Sequence, residues 1–264
     1  MSGRAIVITS GKGGVGKTTA TANIGLGLAK HERKVALVDA DIGLRNLDII
    51  MGLENRIVYH LVDVVRGRCQ LRQALVKDKR FPHLTMLPAS QIDQKEAVTP
   101  EQMKDLVGRL REEFDFVLID CPAGIEQGFR NAVAGADEAI VITTPDVSPV
   151  RDADRVIGLL QTELGDPQLI INRMSTEMVK RGDMLNQQDV LDILAVRLLG
   201  IVPEDGEVLV AGNRGAPVVL NDYSLSGKAY ERIVRRILGE EVPIPELNGH
   251  GGLMNRLGKL LFRR

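Results

Sequence analysis

Residues Gly11 to Thr19 read GKGGVGKTT and follow directly on the apolar run Ala5-Ile6-Val7-Ile8. A buried-type strand, a glycine-rich loop and a helix start, in that order, leave few folds open. The loop must sit at the carboxyl end of a strand, where backbone N–H groups and a helix N-terminus can face an anion. The spacing fits G-x-x-x-x-G-K-[ST] through Gly11, Gly16, Lys17 and Thr18. Gly13, Gly14 and Gly16, with Val15 between them, let the backbone wrap around phosphate oxygens. Such a loop sets Lys17 to bridge the β- and γ-phosphates and the Thr18 hydroxyl to ligate Mg²⁺, while Thr19 can donate to the α-phosphate. Lys12 is a second cation inside the loop. A single site already has Lys17 for its own phosphates, so Lys12 is either solvated or aimed elsewhere.

Short β-branched runs recur along the chain with helical patterns between them. This predicts an α/β fold of the P-loop NTPase kind, a mostly parallel twisted sheet with helices on both faces. The expected strands are Ala5–Thr9, Val35–Asp39, Leu84–Leu87, Phe116–Asp120, Ala139–Thr143, Leu169–Asn172 and Leu199–Val202. Helices are expected over Thr18–Lys30, Pro100–Glu113, Arg151–Leu164, Gln187–Ala195 and Gly227–Leu238. In such sheets ligands bind beyond the carboxyl ends of the strands. The chemistry-bearing residues gather there. Val35–Val38 runs into Asp39-Ala40-Asp41, two carboxylates that can hold Mg²⁺ and orient an attacking water. Phe116-Val117-Leu118-Ile119-Asp120 is an apolar strand ending in a carboxylate, placed to hold Mg²⁺ against the phosphates. Asn172 and Pro203 stand at the ends of two later strands.

Composition excludes several other chemistries. With 34 Lys+Arg against 35 Asp+Glu the net charge is -1, so no global field favours nucleic acid, and 3% aromatics without Trp leave little for base stacking. Cys69 and Cys121 are too few and too far apart for a disulfide framework or a metal knuckle, which fits a reduced, cytosolic setting. His31, His60, His83 and His250 have no metal-ligand spacing. No secretory signal or run of about 18 apolar residues is present. The chain is expected to divide into a P-loop ATPase domain over 1–242, a flexible Pro/Gly linker over 243–252 and a basic amphipathic helix over 253–264. In that helix Leu253, Met254, Leu257, Leu260 and Leu261 fall within roughly a 120° arc, flanked by Arg256, Lys259 and Arg263. Phe262 falls off the arc. The pattern reads as a membrane-surface anchor for an anionic bilayer.

With K-G-G-V-G-K-T-T, D-x-D-I-G-L-R-N-L-D from Asp39 to Asp48, D-x-P-A-G-I-E from Asp120 to Glu126, R-G-D-M-L at Arg181–Leu185 and I-x-P-E-D at Ile201–Asp205, the chain resembles the deviant Walker A ATPases of the MinD/ParA group. The resemblance is strongest to its septum-positioning branch. It implies ATP and Mg²⁺ as ligands and a homodimer in the ATP state. Lys12 would then reach the other copy's nucleotide, and Asp41 would position the hydrolytic water. Asp39 would belong to the switch and metal shell. Asn46 would meet the dimer interface and Asp152 a partner protein. Asn172 would hydrogen-bond adenine, with the Pro203 loop closing over the base. A MinC-type inhibitor, a MinE-type activator and the cytoplasmic face of the inner membrane would be its partners, and nucleic acid would not. A DNA-segregation ATPase would want a basic DNA-facing surface. A flagellar-number ATPase generally carries an N-terminal activator-like extension, absent from this sequence, and an iron–sulfur carrier would need cluster cysteines. A scaffold whose slow hydrolysis only resets it is the non-enzymatic alternative.

Overall fold

The computed structural model describes residues 2–245. The expected membrane helix, and most of the linker before it, lie outside the described residues. The strands are β1 (Arg4–Thr9), β2 (Val35–Asp39), β3 (Val76–Lys77), β4 (Leu84–Leu87), β5 (Phe116–Asp120), β6 (Glu138–Thr143), β7 (Gln168–Met174) and β8 (Arg197–Pro203). The helices are α1 (Lys17–Lys30), α2 (Leu47–Met51), α3 (Leu61–Val65), α4 (Leu71–Ala74), α5 (Pro100–Arg111), α6 (Gln127–Ala134), α7 (Val147–Glu163), α8 (Thr176–Arg181), α9 (Gln187–Leu194), α10 (Glu207–Asn213) and α11 (Leu225–Ile237).

The strands form one sheet in the order β3-β4-β2-β5-β1-β6-β7-β8. All its pairings are parallel except β3 against β4. Alternation along each strand feeds two cores. Ala5, Val7, Val117 and Ile119 face one layer, and Ile6, Ile8, Phe116 and Leu118 the other. Covered on both faces, the strands can be apolar throughout, which is why they were legible as unbroken runs. α1 is buried nearly all round, because α11 packs over the side that the sheet leaves free.

Four of the expected helices, α1, α5, α9 and α11, begin and end within two residues of their observed bounds, and for two of them the reason is visible in sequence. Thr99 and Gln102 form a capping box on α5 with Pro100 in its first turn, and Asn186 with Asp189 does the same on α9. α7 departs from expectation. It starts at Val147, four residues before Arg151, so Asp152 lies in its second turn and not at its opening. Pro149 in the first turn needs no N–H partner there, which is what lets the helix begin early. At the other end of the chain, Arg236 donates from Nε to the Val242 carbonyl at 2.7 Å, from Nη2 to Pro243 at 2.7 Å and from Nη1 to Leu199 at 2.9 Å. The first residues of the expected linker therefore stay against β8.

Candidate functional site

β1 and β5 are neighbours, and so are β5 and β2, so three strand ends converge below the loop 10–16. The register sets Asp39 directly beside Asp120. Both are buried, at 0% and 1% exposure. Burial first, and then the Asp120 carboxylate, hold Asp39 well above the usual carboxylate range. Burial pushes Asp120 up to about 7 against the pull of Thr18, Lys17 and Thr21. Thr21, one turn along α1 from Lys17, donates to Asp120 Oδ1 at 3.2 Å. Asp39 uses both oxygens on the following segment: Oδ1 accepts from Asp41 N–H at 3.0 Å and Oδ2 from Leu47 N–H at 3.3 Å. It thereby fixes the loop that carries Asp41. Asp41 is half-buried, its Oδ1 has no hydrogen-bond partner, and its pKa is raised by burial against the opposing charges of Lys95 and Lys17.

This donor set suits a hard divalent cation. Two buried carboxylates side by side, an unpartnered carboxylate oxygen and a threonine hydroxyl are oxygen ligands that a compensating cation would satisfy. Among the described residues no cluster of three or more His, Cys, Asp or Glu could cage a metal by protein groups. That fits Mg²⁺, which keeps waters and takes phosphate oxygens.

The loop itself is set by its neighbours. Gly16 takes a φ of 101°, and the carbonyl of Val15 accepts from Asn172 Nδ2 at 2.7 Å. Asn172 is thus a buried prop of the phosphate loop as well as the expected base contact. Gly11 has no room for a side chain: a Cβ there would lie 2.2 Å from the Asp152 backbone carbon and oxygen in α7. Lys17 is buried below the loop, whereas Lys12 is exposed and turns away from it, donating to Ser148 Oγ at 3.0 Å. Beyond Thr19 a cavity of about 520 Å³ opens between α2 and α10, lined by Ile49, Ile50, Asn172, Pro203, Val208 and Leu209. Its position, apolar walls and volume suit a nucleoside.

The structure brings together Gly11–Thr19, Asp39, Asp41, Asp120, Asn172 and Pro203. Asn46 and Asp152 stand outside the pocket, Asn46 exposed at the start of α2 and Asp152 half-buried on α7. Sequence reasoning missed Thr21, Lys95, Ser148 and the pair Arg45–Asp48, whose Nε and Oδ2 lie 2.9 Å apart. Thr21 was findable, four residues from Lys17 on one helix face. Lys95 comes from a short 3-10 turn and Ser148 from the first turn of α7, both remote in sequence, and they leave no local signal. Cys121 is buried, its thiol pushed up to about 12 chiefly by burial, which matches a packed, unreactive side chain.

A parallel sheet with this crevice and a second lysine in its phosphate loop defines a P-loop nucleoside triphosphatase of the deviant Walker A type. Residues 3–161 match the family model of an AAA domain. The chain is 55% identical to the septum site-determining protein MinD of Bacillus subtilis over 259 residues, 97% of each chain. It also resembles the MinD of an Aquifex aeolicus MinC:MinD cell division complex, with a TM-score of 0.86 at 48% identity, covering 92% of this chain and 99% of that one. MinD of Pyrococcus horikoshii, complexed with Mg-ADP, aligns at a TM-score of 0.81 and 29% identity over 90% and 99% of the two chains. The chain belongs to the septum site-determining MinD family of cell-division ATPases. DNA-segregation and flagellar-number ATPases thereby give way to the septum-positioning branch.

Proposed function

We propose that this chain is an ATP-driven dimerising switch that carries a MinC-type inhibitor to the cytoplasmic face of the inner membrane and is reset by Mg²⁺-dependent hydrolysis. The observation that carries the reading is Lys12. It is exposed and donates away from its own loop to Ser148 Oγ on α7, and Val147, the neighbour of Ser148, is exposed as well. An exposed cation turned from its own loop, with an exposed apolar side chain beside the residue it reaches, suits a face that closes on a second copy. In that arrangement Lys12 of one copy adds positive charge to the nucleotide of the other, as an arginine finger does.

The remaining roles complete the proposal. Lys17 and the loop N–H groups bind the β- and γ-phosphates, and the cavity between α2 and α10 receives adenine. Thr18 and Asp120 would hold Mg²⁺, with Asp39 behind them; when bound, the ion neutralises phosphate charge. Asp41, with its unpartnered oxygen, accepts a hydrogen bond from the attacking water and orients it. Asn46, exposed at the start of α2, would meet the second copy, and Asp152 on α7 a partner protein such as a MinE-type activator. The domain over 1–242 supplies the switch, and 253–264 the lipid contact.

Sedimentation velocity and ATP turnover on wild type, Lys12→Ala and Lys17→Ala test this. Lys12→Ala should bind ATP yet stay monomeric and hydrolyse little, whereas Lys17→Ala should lose nucleotide binding itself. A monomeric Lys12→Ala that turns over ATP at the wild-type rate contradicts the trans role.

A further inference from the structure

The cavity beside the phosphate loop has two walls that come from separate parts of the chain. Ile49 and Ile50 of α2 form one, and Val208 and Leu209 of α10 the other. Behind it, one side chain joins them. The Arg80 guanidinium donates from Nη2 to the Met51 carbonyl, at the end of α2, at 2.6 Å, and from Nη1 to the Gly215 carbonyl, just past α10, at 2.9 Å. Asp78, 2% exposed, holds the fork: Oδ1 accepts from Nε at 3.1 Å and Oδ2 from Nη2 at 2.8 Å. Asp78 is itself tied into the β3–β4 hairpin, its N–H donating to the Leu84 carbonyl at 3.0 Å. At the same seam the two backbones touch, since a Cβ on Gly215 would lie 2.6 Å from Gly52 Cα. The far end of α2 is held by Asp39 through the Leu47 N–H. A helix of five residues cannot keep its place by its own hydrogen bonds, so these two anchors set where it lies.

We propose that Arg80 is a positioning residue for the nucleotide base: clamped by Asp78, it fixes α2 against α10 and so sets the width of the base cavity. The proposal rests on the reading that this cavity takes adenine. Arg80 is not among the residues lining the cavity, so it acts on the base only through the two walls. Only a planar fork can serve two carbonyls and a carboxylate at once; a lysine ammonium reaches fewer of them in fixed geometry. Because α2 is pinned by Asp39 at one end and by Arg80 at the other, the base cavity is mechanically joined to the carboxylates beneath the phosphates.

Calorimetric titration with Mg-ADP and with Mg-pyrophosphate separates base from phosphate binding, without hydrolysis. Wild type, Arg80→Gln, Arg80→Lys, Asp78→Asn and Val208→Trp are compared. The loss of two charge-assisted bonds in Arg80→Gln should weaken ADP about tenfold while pyrophosphate changes less than about twofold. Arg80→Lys should recover part of the loss, and Asp78→Asn should fall between. If Arg80→Gln does not fold, those two milder variants carry the same comparison. Val208→Trp fills the cavity and should remove the advantage of ADP over pyrophosphate. An Arg80 variant that binds ADP as wild type does, while Val208→Trp does not, overturns the clamp and leaves the base site standing. Equal weakening of ADP and pyrophosphate also overturns it, by making Arg80 a general support of the fold. Unchanged ADP binding in Val208→Trp removes the base site and the clamp together.

Discussion

Asp39 and Asp120 are adjacent because two strands are in register, and their protonation follows from that burial. A carboxyl whose folded pKa lies above its unfolded value binds more protons when folded. The stability it contributes is present at low pH and is lost as pH rises through the folded value. The nucleotide-free chain should therefore melt at a lower temperature at about pH 8 than at about pH 6, on either side of the Asp120 value near 7. Asp39→Asn should flatten this dependence, as read by scanning calorimetry, and a wild-type profile already flat across that window would contradict it. With Mg²⁺ held as proposed by the ionised Asp120 carboxylate, the stabilisation Mg-ADP gives should grow as pH rises. Asp41 is a separate case. Its removal spares the phosphate contacts, so Asp41→Ala should bind Mg-ATP normally yet hydrolyse it at least about 10²-fold more slowly. Single-turnover assays would show this, and equal rates would remove Asp41 from the chemistry. Of this constellation Asp39 and Asp120 were legible because each closes an apolar strand, and Asp41 because it follows two residues on. Lys95 was not, since only folding brings it to Asp41.

The elements around the loop act as its mould. Gly11 lies against the second turn of α7, and Lys12 reaches the first turn of the same helix at Ser148. Gly11→Ala would press a methyl into the Asp152 backbone. It should cost about 1–3 kcal/mol in denaturant unfolding and weaken nucleotide binding by displacing the loop. Undisturbed stability would mean that α7 yields freely. The phosphate motif alone gives no hint of this, because it accounts for Gly11 by the turn and not by a helix far along the chain. The longer helices were readable to within a few residues, and the unbroken apolar strands β2, β4 and β5 to the residue. The helices α2, α3, α4 and α8 were not, because four to six residues are too few to show a period. The two-residue β3 left no alternating pattern either, and it pairs antiparallel at the sheet edge.

On the scale of the whole molecule, the proposed switch depends on weak binding repeated twice. No helix among the described residues is long and apolar enough to cross a membrane, and the proposal assigns lipid contact to residues 253–264. Each basic side chain near an anionic surface contributes about 1 kcal/mol, and ordering the segment offsets part of that gain. One copy should bind loosely, whereas two joined by ATP should gain about 10²-fold or more. Co-sedimentation with anionic vesicles should therefore require ATP, fall with salt, and vanish in Leu257→Glu or Leu260→Glu while ATP binding survives. ADP-bound protein pelleting as completely as the ATP form would refute the two-copy switch.

The sequence by itself determined the phosphate loop, the parallel sheet and the carboxylates at its strand ends. These depend on local spacing and on the period of a strand buried on both faces, and neighbouring residues carry both. Tertiary structure alone decided that Asp39 stands beside Asp120, that Asn172 props the Val15 carbonyl, and that Lys12 turns outward to Ser148. It also decided that α2 and α10 enclose a cavity behind which Arg80 reaches both. Each of these is a contact between segments far apart in the chain, made only when the sheet order folds them onto one edge.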